Sequence, residues 1–492
     1  MIQGETVEAM PILGREVMEA TEGILIRGAA DRAFDDISTD TREAQRGKLF
    51  IPLRGERFDG HEFLAAAVKK GAAGLIIREG EEGRLWEIGE DITVISVPDT
   101  LAALGEVARF WRKKFNIPVI AITGSAGKTT TKEMTAHILG IVKNILKTEG
   151  NFNNLVGLPL TLLRLKDEHE AAIIEMGTNV PGEIRKLCRI AAPDVGLITN
   201  IGAAHLEGLK SIRMVREEKG EIFRNLSNGG IAVINGDDKE VRTVARRWTG
   251  KRMTYGLKGD ADVRADEIRS GRQGLSFTLR IGESRGNVDM AVAGTHNVMN
   301  ALAAAAASRA VGADPETIRR GLMRFKVIPA RMETHRLKNG AFLIDDSYNA
   351  NPLSVREALM TLRSLRGEHK GIVILGDMLE LGDRAEELHE EIGGLIAATG
   401  VETLFLRGAF SAATLAGAVK KGFPVSRIFY PSTPEEILKV LSSSLKKGDW
   451  ILVKGSRAKK MEEVIKIIIE EFGLEGGLTN GLHQFGHCYL GG

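Results

Sequence analysis

Apolar residues recur along this chain in two rhythms, and each predicts a different element. Unbroken apolar runs at Val119–Ile122, Ala171–Glu175, Val195–Thr199 and Ile231–Ile234 read as strands of a parallel sheet covered on both faces. Before them, shorter β-like runs at Lys48–Leu53, Ala73–Ile77 and Ile92–Val97 are interleaved with helical segments at His61–Gly71 and Thr100–Lys113. Beyond Pro329 the runs Phe342–Asp346, Gly371–Leu375, Thr403–Leu406 and Trp450–Val453 alternate with amphipathic helices, the pattern of a doubly wound sheet. The Ala-rich stretch 301–310 is a packing helix. The expected fold is therefore α/β in three domains: a small N-terminal α/β domain (1–113), a central P-loop ATPase-like parallel sheet (114–328) and a C-terminal doubly wound, Rossmann-like domain (329–475). Residues 476–492 are Gly-rich and carry no periodic apolar pattern, so they are expected to be disordered.

The strand expected at Val119–Ile122 runs into Thr123-Gly-Ser-Ala-Gly-Lys-Thr-Thr130 and then a helix. That succession binds phosphate. Gly124 and Gly127 let backbone N–H groups around Ser125 and Ala126 converge on an anion, and the helix start at Thr129 and Thr130 adds its positive dipole end. Lys128 can reach the terminal phosphates, and the Thr129 hydroxyl can meet Mg²⁺. The usual G-x-x-x-x-G-K-[ST] pattern wants glycine where Ile122 stands, so the match is to the shorter T-G-x-x-G-K-T.

Further chemistry falls at strand ends, where an open parallel sheet places its ligand. Glu175 ends one run and can hold Mg²⁺. His205 follows another, although a lone histidine is more often structural. In the helix expected at Ser211–Leu226, Lys219 lies on the apolar stripe of Ile212, Val215, Ile222 and Leu226. Burial there favours the neutral amine, the form that reacts with CO₂ to give a carbamate, a two-oxygen anion suited to a hard cation. A lysine at the stripe's edge is the plainer alternative. Asn297 and Asn300, at i and i+3, can face a base edge. Arg331, the turn Asp345–Pro352, the turn Leu375–Gly382 and the turn Val453–Ala458 occupy the third domain, with helix capping by Asp377 or Ser456 as the simpler role for those two residues.

The 492 residues, 43% of them hydrophobic, can bury several cores. Lys+Arg 67 against Asp+Glu 65 gives a formal charge of +2, dispersed along the chain, which argues against a dedicated nucleic-acid or membrane surface. Cys188 and Cys488 lack metal-ligand spacing and read as bystanders in a reducing compartment, as do His483 and His487 as metal ligands. No apolar run reaches the length of a membrane span, and the N-terminus lacks a signal-peptide pattern, so a cytoplasmic protein is expected.

The turn Thr123–Thr130, Asn151-Phe-Asn-Asn154 with Gly157 and Pro159, Glu175-Met-Gly177, His205, Lys219-Gly-Glu-Ile222 and His296-Asn297 with Asn300 resemble, in order and spacing, the ATP-dependent Mur ligases of peptidoglycan synthesis. The resemblance covers about residues 30 to 473. It implies that Lys128 binds ATP phosphates, that Thr129 and Glu175 hold one Mg²⁺, and that His205 and carbamylated Lys219 hold or orient a second. Asn297 and Asn300 would face adenine, with Arg331 and Asp346 reaching the nucleotide from the third domain. Ser38-Thr-Asp-Thr41-Arg42 and Asp59-Gly-His61 look like the family's uridine-nucleotide pocket. Asp346-Ser-Tyr-Asn349-Ala-Asn351-Pro352, Leu375-Gly-Asp-Met378 and Lys454-Gly-Ser-Arg457 are similar to the members that add a dipeptide. The implied activity is addition of D-alanyl-D-alanine to UDP-N-acetylmuramoyl-tripeptide through an acyl phosphate, by a monomer with no nucleic-acid partner and no membrane insertion. Alternatives are the tripeptide-forming Mur ligase, a folylpolyglutamate synthetase-like ligase, which lacks the D-S-Y-N-A-N-P and uridine-pocket patterns, and a P-loop switch, which would not need Glu175, His205 and Lys219 together.

Overall fold

The computed structural model describes residues 11–43, 45–55 and 58–475; the expectation placed on 476–492, including His483, His487 and Cys488, lies outside them. The described chain forms two compact units. One holds the chain up to Ala121 with Lys143–Gly177 and Glu183–Asp194. The other holds Ile122–Val142, Thr178–Gly182 and the chain from Val195 onward.

In the first unit a five-stranded sheet runs in the order Ile24–Arg27, Thr93–Val97, Gly74–Arg78, Leu49–Phe50 and Ile37–Ser38. Its first pair is antiparallel and the rest are parallel. Phe50, Leu75, Ile77 and Val94 pack with Leu64, Ala67, Leu85 and Ile88 into one core. The helix Thr100–Lys113 is capped by Asp99, whose carboxylate accepts from Ala102 N at 2.8 Å, and it buries Leu104, Val107, Ala108 and Trp111, one helical stripe. The expected helix His61–Gly71 is two pieces, a 3₁₀ turn Gly60–Phe63 and a helix Leu64–Lys69, because Asp59 caps the turn through His61 N at 3.0 Å. Strand Ala171–Glu175 lies here too, parallel to Ile145–Lys147.

In the second unit Val195–Ile198, Ile231–Asn235, Lys251–Gly256 and Val263–Gly271 are successive parallel strands. Two antiparallel strands, Gly274–Ile281 and Ser284–Met290, extend them. Continuous apolar runs do not mark these hairpins, since their inward residues alternate with polar ones. Gly282, at φ +56°, takes the first of two loop positions between Ile281 and Ser284, as a type II′ turn requires. The Ala-rich helix His296–Ala310 is buried along nearly its whole length and packs on Lys128–Leu139, as expected of a packing helix.

The third expected region forms a six-stranded sheet in the order Glu333–Arg336, Phe342–Asp346, Trp450–Lys454, Gly371–Gly376, Thr403–Arg407 and Ile428–Phe429. All neighbours are parallel except the first pair. Leu343, Ile374, Phe405, Ile451 and Val453 meet Ile437, Leu441 and Ile465 from the covering helices. No helix among the described residues is long and apolar enough to cross a membrane.

Candidate active site

Strand Val119–Thr123 is wholly buried and ends at Gly124. Gly127, at φ +79°, caps the helix Lys128–Leu139, and a Cβ there would fall 2.3 Å from Asn300 Oδ1. The turn is clamped by the segment after strand Val195–Ile198. Ser125 N donates to Asn200 O at 3.0 Å, Ala126 N to Asn200 Oδ1 at 2.8 Å, and Thr199 Oγ1 to Ala126 O at 2.6 Å. Lys128 Nζ folds back onto Gly124 O at 2.8 Å. N–H groups at the start of a helix lack an intrahelical acceptor, so this rigid turn presents positive backbone dipole beside an ammonium group.

Lys219 sits in the helix Ile212–Arg224, started by Ser211, which accepts from Met214 N at 3.3 Å. Its side chain is fully buried and its Nζ has no hydrogen-bond partner among the described residues. Burial pushes the amine well below the ordinary lysine range; the charge of Lys128 pushes the same way and that of Glu218 opposes. Glu218 itself is held by Gly182 N at 2.7 Å. His205 holds a left-handed backbone, φ +55°, and its Nδ1 lies 2.7 Å from Glu380 Oε2, off the line of the ring N–H. Burial lowers its pKa; Lys128 and Lys219 act in the same direction, and Glu380 opposes. The ring is therefore neutral at neutral pH. Glu175, in the first unit, is buried at the carboxyl end of its strand, with Oε1 accepting from Asn153 Nδ2 at 2.9 Å.

The third region brings its own polar set. Asp346 and Lys454 are directly paired residues on neighbouring parallel strands, and Nζ lies 2.5 Å from Oδ2. Burial raises the Asp346 pKa, against the opposing charges of Lys454 and Arg331. Lys454 also donates to Asn349 O at 2.9 Å. Arg331 stacks over Tyr348, 4.1 Å to the ring centroid, and donates to Thr129 Oγ1 at 2.9 Å. Asn351 caps the helix Pro352–Arg366, accepting from Ser354 N, and its Nδ2 donates to Ser125 O at 3.0 Å. Arg331 and Asn351 thus reach the phosphate turn itself. Asn300 Nδ2 donates to Asn297 Oδ1 at 2.9 Å, and Asn297 Nδ2 to Ala293 O at 2.7 Å, so both amides are engaged in holding the helix start. Asp377 is buried, 2.7 Å from Lys459 Nζ, and accepts from Ala409 N and Phe410 N; Ser456 Oγ accepts from Leu379 N at 2.8 Å.

In the first unit the Ser38–His61 set is bonded within itself. Ser38 Oγ accepts from Asp40 N and Gln45 Nε2, each at 3.2 Å. Arg42 is exposed and paired with Asp40 at 2.6 Å, while Lys70 Nζ donates to Thr41 O at 2.6 Å. His61 Nε2 accepts from Arg78 N at 3.1 Å, which leaves its proton on Nδ1, 2.7 Å from Asp59 Oδ1.

The Mur ligase family models match three segments of this chain: the family's catalytic domain over residues 34–112, its middle domain over 122–308 and its glutamate ligase domain over 330–457. The chain belongs to the Mur ligase family. It is 37% identical to the UDP-N-acetylmuramoyl-tripeptide–D-alanyl-D-alanine ligase of Bacillus subtilis, over 93% of this chain and 98% of the relative. Among solved structures, MurF from Acinetobacter baumannii superposes with TM-score 0.86 at 32% identity, over 94% of this chain and all of that one. MurF from Thermotoga maritima in complex with ADP gives 0.79 at 28%, over 89% and 97%. The family resemblance read from the motifs and the α/β fold read from the apolar runs are thereby confirmed.

Two partners in this Mur ligase site escaped motif reading. Lys454 belongs to a quoted motif without an assigned role; the parallel register that sets it beside Asp346 is a tertiary fact, although its position at the end of an apolar run was a usable signal. Glu380 lies in the turn Leu375–Gly382 singled out at a strand end, but nothing local to that turn points to His205.

Proposed function

We propose that this chain is an ATP-dependent ligase that adds D-alanyl-D-alanine to UDP-N-acetylmuramoyl-tripeptide in peptidoglycan precursor synthesis. The observation that carries the reading is a fully buried amine without a hydrogen-bond partner among the described residues, Lys219, in the field of a phosphate-turn lysine, Lys128. The substrates of relatives matched over almost their whole length support the substrate pair, and a structural neighbour solved with ADP supports the nucleotide.

ATP is the co-substrate. Gly124, Ser125, Ala126, Gly127, Thr129 and Thr130 cradle its phosphates and Lys128 neutralises them, with Asn297, Asn300, Arg331 and Asp346 completing the nucleotide end. A carboxylate oxygen of the tripeptide attacks the γ-phosphorus, the bond to ADP breaks, and an acyl phosphate forms. The D-Ala-D-Ala amine then attacks the acyl carbon, loses a proton and displaces phosphate. The chain's part is positioning and charge neutralisation.

The donor set fits two Mg²⁺, because hydroxyl, carboxylate and imidazole are ligands for hard or borderline cations. Thr129 and Glu175 are assigned to one and His205 with Lys219 to the other. The unpartnered Nζ of Lys219 fits conversion to a carbamate: the neutral amine adds to CO₂, a C–N bond forms and one proton leaves. Bound Mg²⁺ supplies neutralisation of developing phosphate charge. Ser38, Thr41, Arg42, Asp59 and His61 are assigned to the UDP end, and Asn349 and Asn351 to the incoming dipeptide. The division into 1–113, 114–328 and 329–475 accompanies this assignment, as do a cytoplasmic location and a monomeric state, for which sedimentation is the test.

Incubating the full chain with ATP, UDP-N-acetylmuramoyl-tripeptide and D-Ala-D-Ala should yield ADP, phosphate and pentapeptide in equal amounts, with both peptide substrates required. AMP as product, or phosphate release without the dipeptide, overturns the reading.

A further inference from the structure

We propose that Glu380 is a positioning residue for His205, latching the loop after strand Gly371–Gly376 onto the loop after strand Val195–Ile198. The inference rests on the ligase reading for what His205 does, and on geometry for the latch itself. Glu380 Oε2 lies 2.7 Å from His205 Nδ1. The same residue's backbone carbonyl accepts from Glu207 N at 3.0 Å, so the two loops are joined twice at one point. Both joined residues hold left-handed backbone, φ +55° at His205 and +62° at Glu380, which costs energy in a non-glycine residue and persists only where surrounding contacts enforce it. Gly382, at φ +55°, lets the chain pass so close that a Cβ would sit 3.1 Å from Glu207 Cα.

The consequence is chemical. A carboxylate 2.7 Å from Nδ1, off the line of the ring N–H, attracts that edge of the imidazole and so orients the ring, the part a supporting carboxylate plays for a histidine. His205 lies in the fields of both Lys128 and Lys219, so fixing its ring fixes a group that both amines act on. Glu380 lies far from both in sequence and reaches His205 only when the two loops meet. The contact that orients the histidine thus exists only where the fold brings these two loops together.

The test uses the full chain with ATP, UDP-N-acetylmuramoyl-tripeptide and D-Ala-D-Ala. Glu380→Ala should lower kcat by about 10- to 100-fold, the size of effect that loss of a supporting carboxylate produces, with little change in KM for ATP. Glu380→Gln, which keeps an oxygen at the same reach, should recover most of that loss. Combined with His205→Ala, Glu380→Ala should add no further loss, because the two act as a unit. A Glu380→Ala variant with unaltered kcat, or losses that multiply in the double variant, overturns the proposal. Hydrogen exchange supplies a readout independent of turnover: amides of Leu206–Leu209 should exchange faster in Glu380→Ala, and unchanged exchange also overturns it. If the unaltered chain makes no ADP while exchange responds as expected, the ligase reading fails and the latch stands.

Discussion

The phosphate-turn set and the Ser38–His61 set are both polar, both at strand ends and both flagged by motif, yet they are built on opposite principles. Around Ser38 and His61 the polar groups answer one another: His61 is a donor to Asp59 and an acceptor from Arg78, Ser38 accepts from two neighbours, and Arg42 is paired with Asp40. Around Lys128 the groups are left demanding. Lys219 is buried with no hydrogen-bond partner for its amine among the described residues, His205 is held in a left-handed conformation, and the charge of Lys128 pushes the pKa of both downward. A self-satisfied cluster shapes a surface; an unsatisfied one stores free energy that a ligand releases. The difference predicts that changes in the first set act through stability and changes in the second through turnover.

The largest effect expected is on turnover. Lys219→Met should reduce kcat by about 10²- to 10³-fold or more while leaving the melting temperature unchanged or higher, because an apolar side chain of similar length replaces an unpartnered buried amine. A variant that melts lower and still turns over would erase the contrast. Next comes the Asp346–Lys454 pair, at 13% and 3% side-chain exposure. Lys454→Ala strands a buried carboxylate and should cost about 3–5 kcal/mol in urea unfolding, whereas Lys454→Met with Asp346→Asn should cost far less. Equal losses would show that the charges do not compensate one another.

Asp345 is an intermediate case. Burial, with Glu333 and Asp346 adding in the same direction, pushes its carboxyl up to about 6, and the hydrogen bond it accepts from Ser347 N only partly opposes this. The folded state therefore holds a proton between about pH 4 and 6 that the unfolded state has lost, so this group's contribution makes stability rise as pH falls through that window. Asp345→Asn keeps the acceptor for Ser347 N and should raise stability above pH 6 by up to about 3 kcal/mol, and it should flatten the profile below. A pH profile of melting temperature identical to that of the parent would contradict the assignment; His335 faces the same carboxylates, and burial lowers its pKa against the opposing charge of Glu333. The smallest effect belongs to the satisfied set: His61→Ala should cost about 1–3 kcal/mol of stability, by leaving Arg78 N and Asp59 without their partner, with kcat nearly unchanged at saturating substrate. A large fall in kcat with intact stability would move His61 into the reacting site.

The sequence carried what is local and periodic. The run Val119–Ile122 and the glycine spacing of Thr123–Thr130 required a strand, a phosphate-binding turn and a helix, because only glycine reaches the φ of Gly127 without strain, and the helix start supplies the dipole. The stripe that placed Lys219 on a buried face was equally legible, since helical period alone decides which residues share a face. The hairpins over Val263–Met290 were not legible as apolar runs, since apolar residues alternate with polar ones along the strands. The site's cross-links were not legible either: Asp346 with Lys454, Arg331 with Thr129, Asn351 with Ser125, and Glu380 with His205 join residues 108, 202, 226 and more than 170 positions apart. Sequence spacing sets torsion, period and capping, which act over a few residues. Strand register, and the meeting of loops from different sheets, are settled by which apolar faces pack together, and only the folded chain makes that choice.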